Sequence, residues 1–141
     1  MTYLDMCLNE TLRLYPPAYR ADRECSSDYE YNGMKIPKGA VVNICIWAVH
    51  HDPNNYPDPY KFLPDRFSDE NKKTRVNESF IPFGSGQRNC VGMRFAWIEM
   101  KLFLAQYFSK FYFTTFWKTP VTTNCLSFII SHIIEKIFFL F

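Results

Sequence analysis

Cys90 sits in the run Phe83-Gly84-Ser85-Gly86-Gln87-Arg88-Asn89-Cys90-Val91-Gly92, punctuated by glycines and with an arginine two residues upstream. A soft metal in an oxidised state prefers a thiolate, which must be held deprotonated and kept from other reactants. Gly86 and Gly92 allow tight turns that bring backbone N–H groups toward the sulfur. A helix expected to begin near Cys90 adds the positive end of its dipole, which favours the charged form. Phe80 and Phe83 are expected to supply apolar cover against water. The chemistry suits a thiolate axial ligand to haem iron. The bland alternative is a buried, inert cysteine in an ordinary loop.

Two other groups of charged residues are candidates for a role beyond solubility. Glu10 and Arg13 stand three apart, on one helical face and within reach of each other. Taken alone the pair is equally a surface salt bridge of small energetic worth. Arg66 follows Pro64-Asp65 and precedes Phe67 in a proline-rich stretch. Two arginines on one carboxylate would form a buried network, better at fixing geometry than at adding stability.

The elements that must position these residues follow from periodicity and turn chemistry. Thr2 with Asp5 matches a capping box, and Leu4, Leu8, Leu12 and Tyr15 recur at helical spacing, so residues 3–15 are expected to form an amphipathic helix ended by Pro16-Pro17. Tyr29-Glu30-Tyr31 and Met34-Lys35-Ile36 flank Asn32-Gly33, the signal of a type I′ hairpin. Ala40 to Trp47 is expected to be a strand, and residues 48–82, broken by five prolines, a long loop. A second long helix is expected from Val91 to about Phe113, with Phe95, Ile98, Leu102, Ala105, Phe108 and Tyr112 as its apolar stripe. The expected class is mainly α with small β hairpins.

The motifs together resemble the cytochrome P450 monooxygenases. Phe83, Gly86, Arg88, Cys90 and Gly92 fill every defining position of that family's haem-ligand loop, Phe-x-x-Gly-x-Arg-x-Cys-x-Gly. Glu10-Thr11-Leu12-Arg13 is similar to its Glu-x-x-Arg helix, and Pro64-Asp65-Arg66-Phe67 to the segment that precedes the haem loop, with Asp65 in place of the usual glutamate. The resemblance implies haem b held by the Cys90 thiolate, with Arg23, Phe83, Gly86, Arg88 and Gly92 as cofactor-binding residues and Arg20 as a further candidate for a propionate. It implies a structural network of Glu10, Arg13 and Arg66, and a substrate-pocket edge at Pro17, Ala18 and Tyr19. No protein side chain is assigned a catalytic role. The implied activity is insertion of one oxygen atom into an apolar organic substrate such as a steroid, lipid or xenobiotic. Electrons would come from NADPH through NADPH-cytochrome P450 reductase, with cytochrome b5 a second candidate donor. Lys72, Lys73, Arg88, Arg94 and Lys101 offer positive charge for steering such a partner, and are equally ordinary solvated charges. The wording around Ala18-Tyr19-Arg20 and Asn32-Gly33-Met34 looks most like the microsomal family-3 or thromboxane-synthase branch.

Length and composition bound the expectation. A chain of 141 residues fits one compact domain, and the resemblance covers the carboxy-terminal third of a cytochrome P450, an incomplete version of that fold. Residues 1–113 are expected to be this portion and 114–141 a divergent apolar tail. No oxygen-activating helix with an acid–threonine pair and no amino-terminal anchor is recognised, so a truncated, non-catalytic product is the alternative to an enzyme. The implied location is the cytosolic face of the endoplasmic reticulum membrane, reached through an amino-terminal part outside this sequence. The tail is too short and, with His132, Glu135 and Lys136, too polar to span a membrane. It is expected to be out-of-frame or intron-derived, with an interfacial helix, and hence a membrane-surface or interaction protein, as the other possibility. A net charge of +2 argues against nucleic acid. Five scattered cysteines without a Cys-x-x-Cys pair suggest a reducing compartment, and the three histidines look structural.

Overall fold

The apolar spacing at the amino end folds as α1 (Thr2–Leu14) in a computed structural model that describes residues 2–112 and 114, the side chains of Thr74 and Asn77 excepted. Leu8, Leu12 and Leu14 are buried, and Glu10 and Arg13 lie on the same covered face. Thr2 stands inside the first turn rather than before it. The helix stops two residues ahead of Pro16, as expected of a residue that cannot donate to the ladder.

Four short strands follow: β1 (Ala21–Glu24), β2 (Tyr29–Tyr31), β3 (Met34–Ile36) and β4 (Val41–Ile44). β2 and β3 pair antiparallel, with Tyr29 opposite Ile36 and Tyr31 opposite Met34. Their turn is the one the sequence calls for, since Asn32 and Gly33 both take positive φ, +48° and +78°. β1 and β4 close around this hairpin as a second antiparallel pair, Ala21 opposite Ile44 and Glu24 opposite Val41. The strand expected over 40–47 is therefore shorter. From Ile46 the chain turns into α2 (Ile46–His50), which buries Ile46 and His50.

The stretch expected to be loop is mostly irregular but holds local helix. A 3₁₀ turn spans Pro64–Phe67, with proline in its first turn, and α3 covers Asp69–Thr74. Ser68 caps α3 by accepting the Asn71 N–H, while Asp69 and Glu70 occupy its first turn and Lys72 and Lys73 its last, as the helix dipole favours. Further 3₁₀ turns lie at Asn77–Ser79 and Gly86–Arg88. The last described helix, α4, runs Met93–Phe108, starting two residues later and ending five earlier than expected.

The described chain divides into two units, one up to Arg94 and one from Phe95 onward. The first has a small core of Leu8, Leu12, Leu14, Ile46, Tyr56 and Phe67. Nearly as many polar side chains are buried with them: Glu10, Arg13, His50, His51 and Ser79. In the second unit Phe103 and Phe111 pack on Tyr107, with ring centroids 5.7 and 4.9 Å apart. The apolar stripe expected on α4 is exposed, Phe95 at 71% and Ile98 at 59%. Among the described residues the class is mainly helical with small antiparallel hairpins, as expected. Apart from Thr114, the tail expected at 114–141 lies outside the described residues.

Candidate functional site

The Cys90 loop is built from backbone. The Gly84 N–H donates to the Ile81 carbonyl at 3.0 Å, and the Cys90 N–H to the Phe83 carbonyl at 2.8 Å, closing the loop on itself. The Asn89 N–H bonds back to Gly86 at 3.2 Å across the 3₁₀ turn. Gly84 and Gly86 both have φ of +78°, where a β-carbon costs about 1–2 kcal/mol. Gly92 is not in that region. A β-carbon there would stand 3.9 Å from Cys90 Sγ, an ordinary contact, so neither strain nor crowding among the described residues requires a glycine at this position. The Cys90 side chain is exposed and so is Val91 beside it, so the sulfur faces outward. α4 opens at Met93, whose N–H reaches the Cys90 carbonyl at 3.3 Å, so the helix begins three residues past the sulfur. Phe83 is half-buried. The other aromatic expected over the thiolate, Phe80, packs elsewhere: edge-on to Phe67 with centroids 4.8 Å apart, and stacked on His50 at 5.4 Å.

Arg23 joins β1 to this loop. Its Nη2 donates to the Arg88 carbonyl at 3.1 Å and its Nη1 to the Asp22 carbonyl at 2.8 Å. Two guanidinium-bearing residues thus meet two positions before Cys90. Arg20 is engaged locally, 3.9 Å from Asp22 and over the Tyr19 ring. Pro17, Ala18 and Tyr19 are all exposed, and the Tyr19 carbonyl accepts the Trp47 N–H at 3.1 Å.

Glu10 and Arg13 are wholly buried, which removes the surface-pair alternative. Their contact is a bidentate fork, Nε to Oε2 and Nη2 to Oε1, both 2.8 Å. The remaining Arg13 donors reach the carbonyls of His50 (2.9 Å), Pro59 (2.7 Å) and Lys61 (3.3 Å), and its guanidinium lies 5.0 Å from the Tyr56 ring centre. Glu10 Oε1 also accepts the Leu63 N–H at 3.0 Å. Arg66 comes to this carboxylate at 3.4 Å, but its Nε is not aligned for a hydrogen bond, and its Nη2 donates to the Asp58 carbonyl at 2.9 Å. Charge proximity, rather than a second fork, is what Arg66 adds.

His50 is part of the same centre, and no local pattern singled it out. It is completely buried, with Nδ1 3.1 Å from the Arg13 carbonyl and Nε2 accepting the Ile81 N–H at 2.9 Å. A carbonyl only accepts, so the proton is on Nδ1. Burial pushes His50 down to about 4, aided by the positive charge of Arg13 and Arg75 and by neighbouring His51, and opposed by the Arg13 carbonyl. Tyr56 and Ser79 complete the cluster through a 3.1 Å bond from the phenol to the Ser79 carbonyl, and burial raises the Tyr56 phenol. Arg75 lies over the Phe67 and Phe80 rings at 4.7 and 5.3 Å. These contacts join residues 23 to 37 positions apart, beyond the reach of any periodicity.

Of the cations considered for partner steering, Lys72 pairs with Asp69 at 3.6 Å and Lys101 lies 5.5 Å from the Trp97 ring centre. Lys73, Arg88 and Arg94 are exposed. Among the described residues no three His, Cys, Asp or Glu side chains gather as a metal site. A bare ion would find one protein ligand at Cys90. A macrocycle that brings its own four nitrogens needs only one, so the donor set suits haem and not a protein-coordinated metal. A shallow cleft of about 620 Å³ lies along the β2–β3 hairpin, lined by Asp28, Tyr29, Glu30, Lys35, Ile36 and Pro37, and includes none of the residues considered for haem or substrate.

The glycine loop leaves the Cys90 thiol exposed, Arg23 meets Arg88 two residues before it, and a Glu-x-x-Arg pair is buried in the same unit. The cytochrome P450 family model matches residues 1–140, and the chain belongs to that family, whose members are haem-dependent monooxygenases. Over 113 residues the chain is 53% identical to cytochrome P450 3A2 of Rattus norvegicus and to cytochrome P450 3A7 of Homo sapiens, covering 80% of this chain and 22% of each relative. It is 50% identical over 121 residues to cytochrome P450 3A41 of Mus musculus, covering 86% of the chain and 24% of that protein. The chain therefore spans less than a quarter of the length of these curated relatives.

Proposed function

We propose that this chain is the carboxy-terminal, haem-ligating part of a cytochrome P450 monooxygenase, residues 1–113 forming that portion and 114–141 a separate tail. The observation that carries the reading is the outward-facing Cys90 in a loop whose backbone is closed on Phe83. Cys90 would supply the axial thiolate. Arg23 and Arg88, held together at the loop, would take the propionates, since a guanidinium fork matches a carboxylate. Phe83 and the glycines at 84, 86 and 92 would let the backbone approach the macrocycle. When bound, haem supplies the redox-active iron at which dioxygen is reduced, one oxygen atom entering an apolar substrate and the other leaving as water.

The protein's own contribution would be ligation, orientation and exclusion of water. Pro17, Ala18 and Tyr19 would border the substrate, and the exposed Phe95, Ile98 and Leu102 of α4 would be covered by the remainder of the enzyme. Likeness to relatives of the 3A group supports a drug- or steroid-sized apolar substrate, NADPH-derived electrons through a reductase, with cytochrome b5 as a further donor, and the endoplasmic reticulum membrane as the location. Among the described residues no helix is long and apolar enough to cross a membrane.

The test is Cys90→Ser in a full-length cytochrome P450 carrying this sequence. The reduced carbon-monoxide adduct should lose its red-shifted, thiolate-type Soret band. Persistence of that band would assign the ligand to another cysteine and end the proposal.

A further inference from the structure

We infer that His50 is a positioning residue for the thiolate loop, holding the strand of chain that enters the loop to the end of α1 through its two ring nitrogens. The inference rests on the reading of Cys90 as the metal ligand. Its basis is a continuous set of hydrogen bonds. Nδ1–H donates to the Arg13 carbonyl, while the His50 backbone carbonyl accepts from Arg13 Nη1, so the residue is tied to α1 in both directions. On the other side Nε2 accepts the Ile81 N–H at 2.9 Å. The Ile81 carbonyl in turn accepts the Gly84 N–H, and Phe83, two residues on, accepts the Cys90 N–H. Between the imidazole and the cysteine backbone stand Ile81, Pro82 and Phe83, and Pro82 has a fixed φ and is buried.

The surroundings leave His50 one protonation state and one orientation. Phe80 stacks on the ring from the segment preceding Ile81. The charged and titratable groups near it are Arg13 of α1, forked to Glu10, His51 just after α2, and Arg75 after α3. Two of these are permanent cations, so a second proton on the imidazole is opposed, and it would also end acceptance from Ile81. Nε2 is thus kept, among the described residues, as the acceptor for a part-buried backbone donor that leads directly into the loop. A missing acceptor would free residues 81–83 and let Phe83, and Cys90 with it, move away from the metal.

Side-chain amides separate the two bonds. In His50→Gln the amide oxygen can take the place of Nε2 and accept from Ile81. In His50→Asn the shorter amide nitrogen reproduces the Nδ1 donor and leaves Ile81 unpaired. The experiment uses the full-length holoenzyme, at matched haem content, and reads the ratio of thiolate-type to displaced Soret band in the reduced carbon-monoxide adduct. His50→Asn should shift that ratio by up to about tenfold toward the displaced form, the effect of orphaning one part-buried donor, and His50→Gln should largely restore it. A merely structural role would lower haem content in both without changing the band ratio. Equal, unshifted spectra in both variants would overturn the inference while Cys90→Ser still abolished the band. If the band survived in Cys90→Ser, the ligand assignment itself would fall instead. Should the variants fail to fold, nitrogen NMR of wild-type His50 decides: the inference needs an Nδ1–H tautomer and an exchange-protected Ile81 amide, and an Nε2–H tautomer overturns it.

Discussion

Replacing Arg13 by alanine should prevent stable haem incorporation without touching the metal ligand. Glu10 is left as a wholly buried carboxylate, with the Leu63 N–H at 3.0 Å and a misaligned Arg66 at 3.4 Å as its remaining partners. Breaking a buried pair in this way costs about 3–5 kcal/mol. The carbonyls of His50, Pro59 and Lys61 also lose their donor, at up to about 1 kcal/mol each where water does not replace it. These contributions overlap, so about 5 kcal/mol is the expected total, comparable with the whole stability of a modest domain. Arg13→Lys keeps the charge but loses the fork and most of the bridging, and should fall roughly halfway between. The assay is haem content and urea midpoint of the full-length protein at matched expression. Glu10→Ala should behave like Arg13→Ala, since it strands the opposite charge. A loss below about 1 kcal/mol with normal haem content in both would mean that the pair behaves as a solvated salt bridge, and the reasoning from burial would be refuted.

Other outcomes follow from the same geometry. Because burial pushes His50 from its ordinary 6.5 down to about 4, the unfolded chain takes up a proton that the folded one refuses in that window. Stability should therefore hold above pH 6.5 and decline by about 3 kcal/mol as the pH falls to about 4, and pH-dependent urea unfolding of His50→Gln should lack that share of the decline; an unchanged slope would count against a neutral, buried imidazole. Gly86→Ala, at φ +78° with open space around the site, should cost about 1–2 kcal/mol from backbone strain alone, measured by denaturation of the holoprotein, and no loss would mean that the turn is not held. The 141-residue chain by itself, exposing Cys90, Phe95, Ile98 and Leu102, should bind an apolar dye, self-associate, and neither retain haem stoichiometrically nor form product with NADPH and reductase; Cys90-dependent turnover by that preparation would contradict this.

What could be read from residues alone was whatever a few neighbouring positions decide. Asn32-Gly33 adopts its turn because only such residues tolerate two positive φ values in succession. Leucines at helical spacing before Pro16 make α1, and the glycines around Cys90 make the loop, because both depend on contacts within a few residues. The strand at Val41–Ile44 is shorter than expected because β-branched residues favour a strand locally, and the short α2 overrides that preference by burying Ile46 and His50.

Tertiary structure alone decided which charges are buried and what they touch. Glu10 and Arg13 have the same spacing whether solvated or enclosed, and it is the carbonyls of His50, at the end of α2, and of Pro59 and Lys61, from the irregular segment beyond it, that make the pair a centre. His50 acquires its place only when Ile81 and Arg13 approach it from opposite sides. Phe80, expected over the thiolate, packs on Phe67 and His50 instead, because an aromatic ring contributes most where the core closes around it. Hydrogen bonds and burial between distant segments depend on the whole chain's path, which local sequence spacing does not encode.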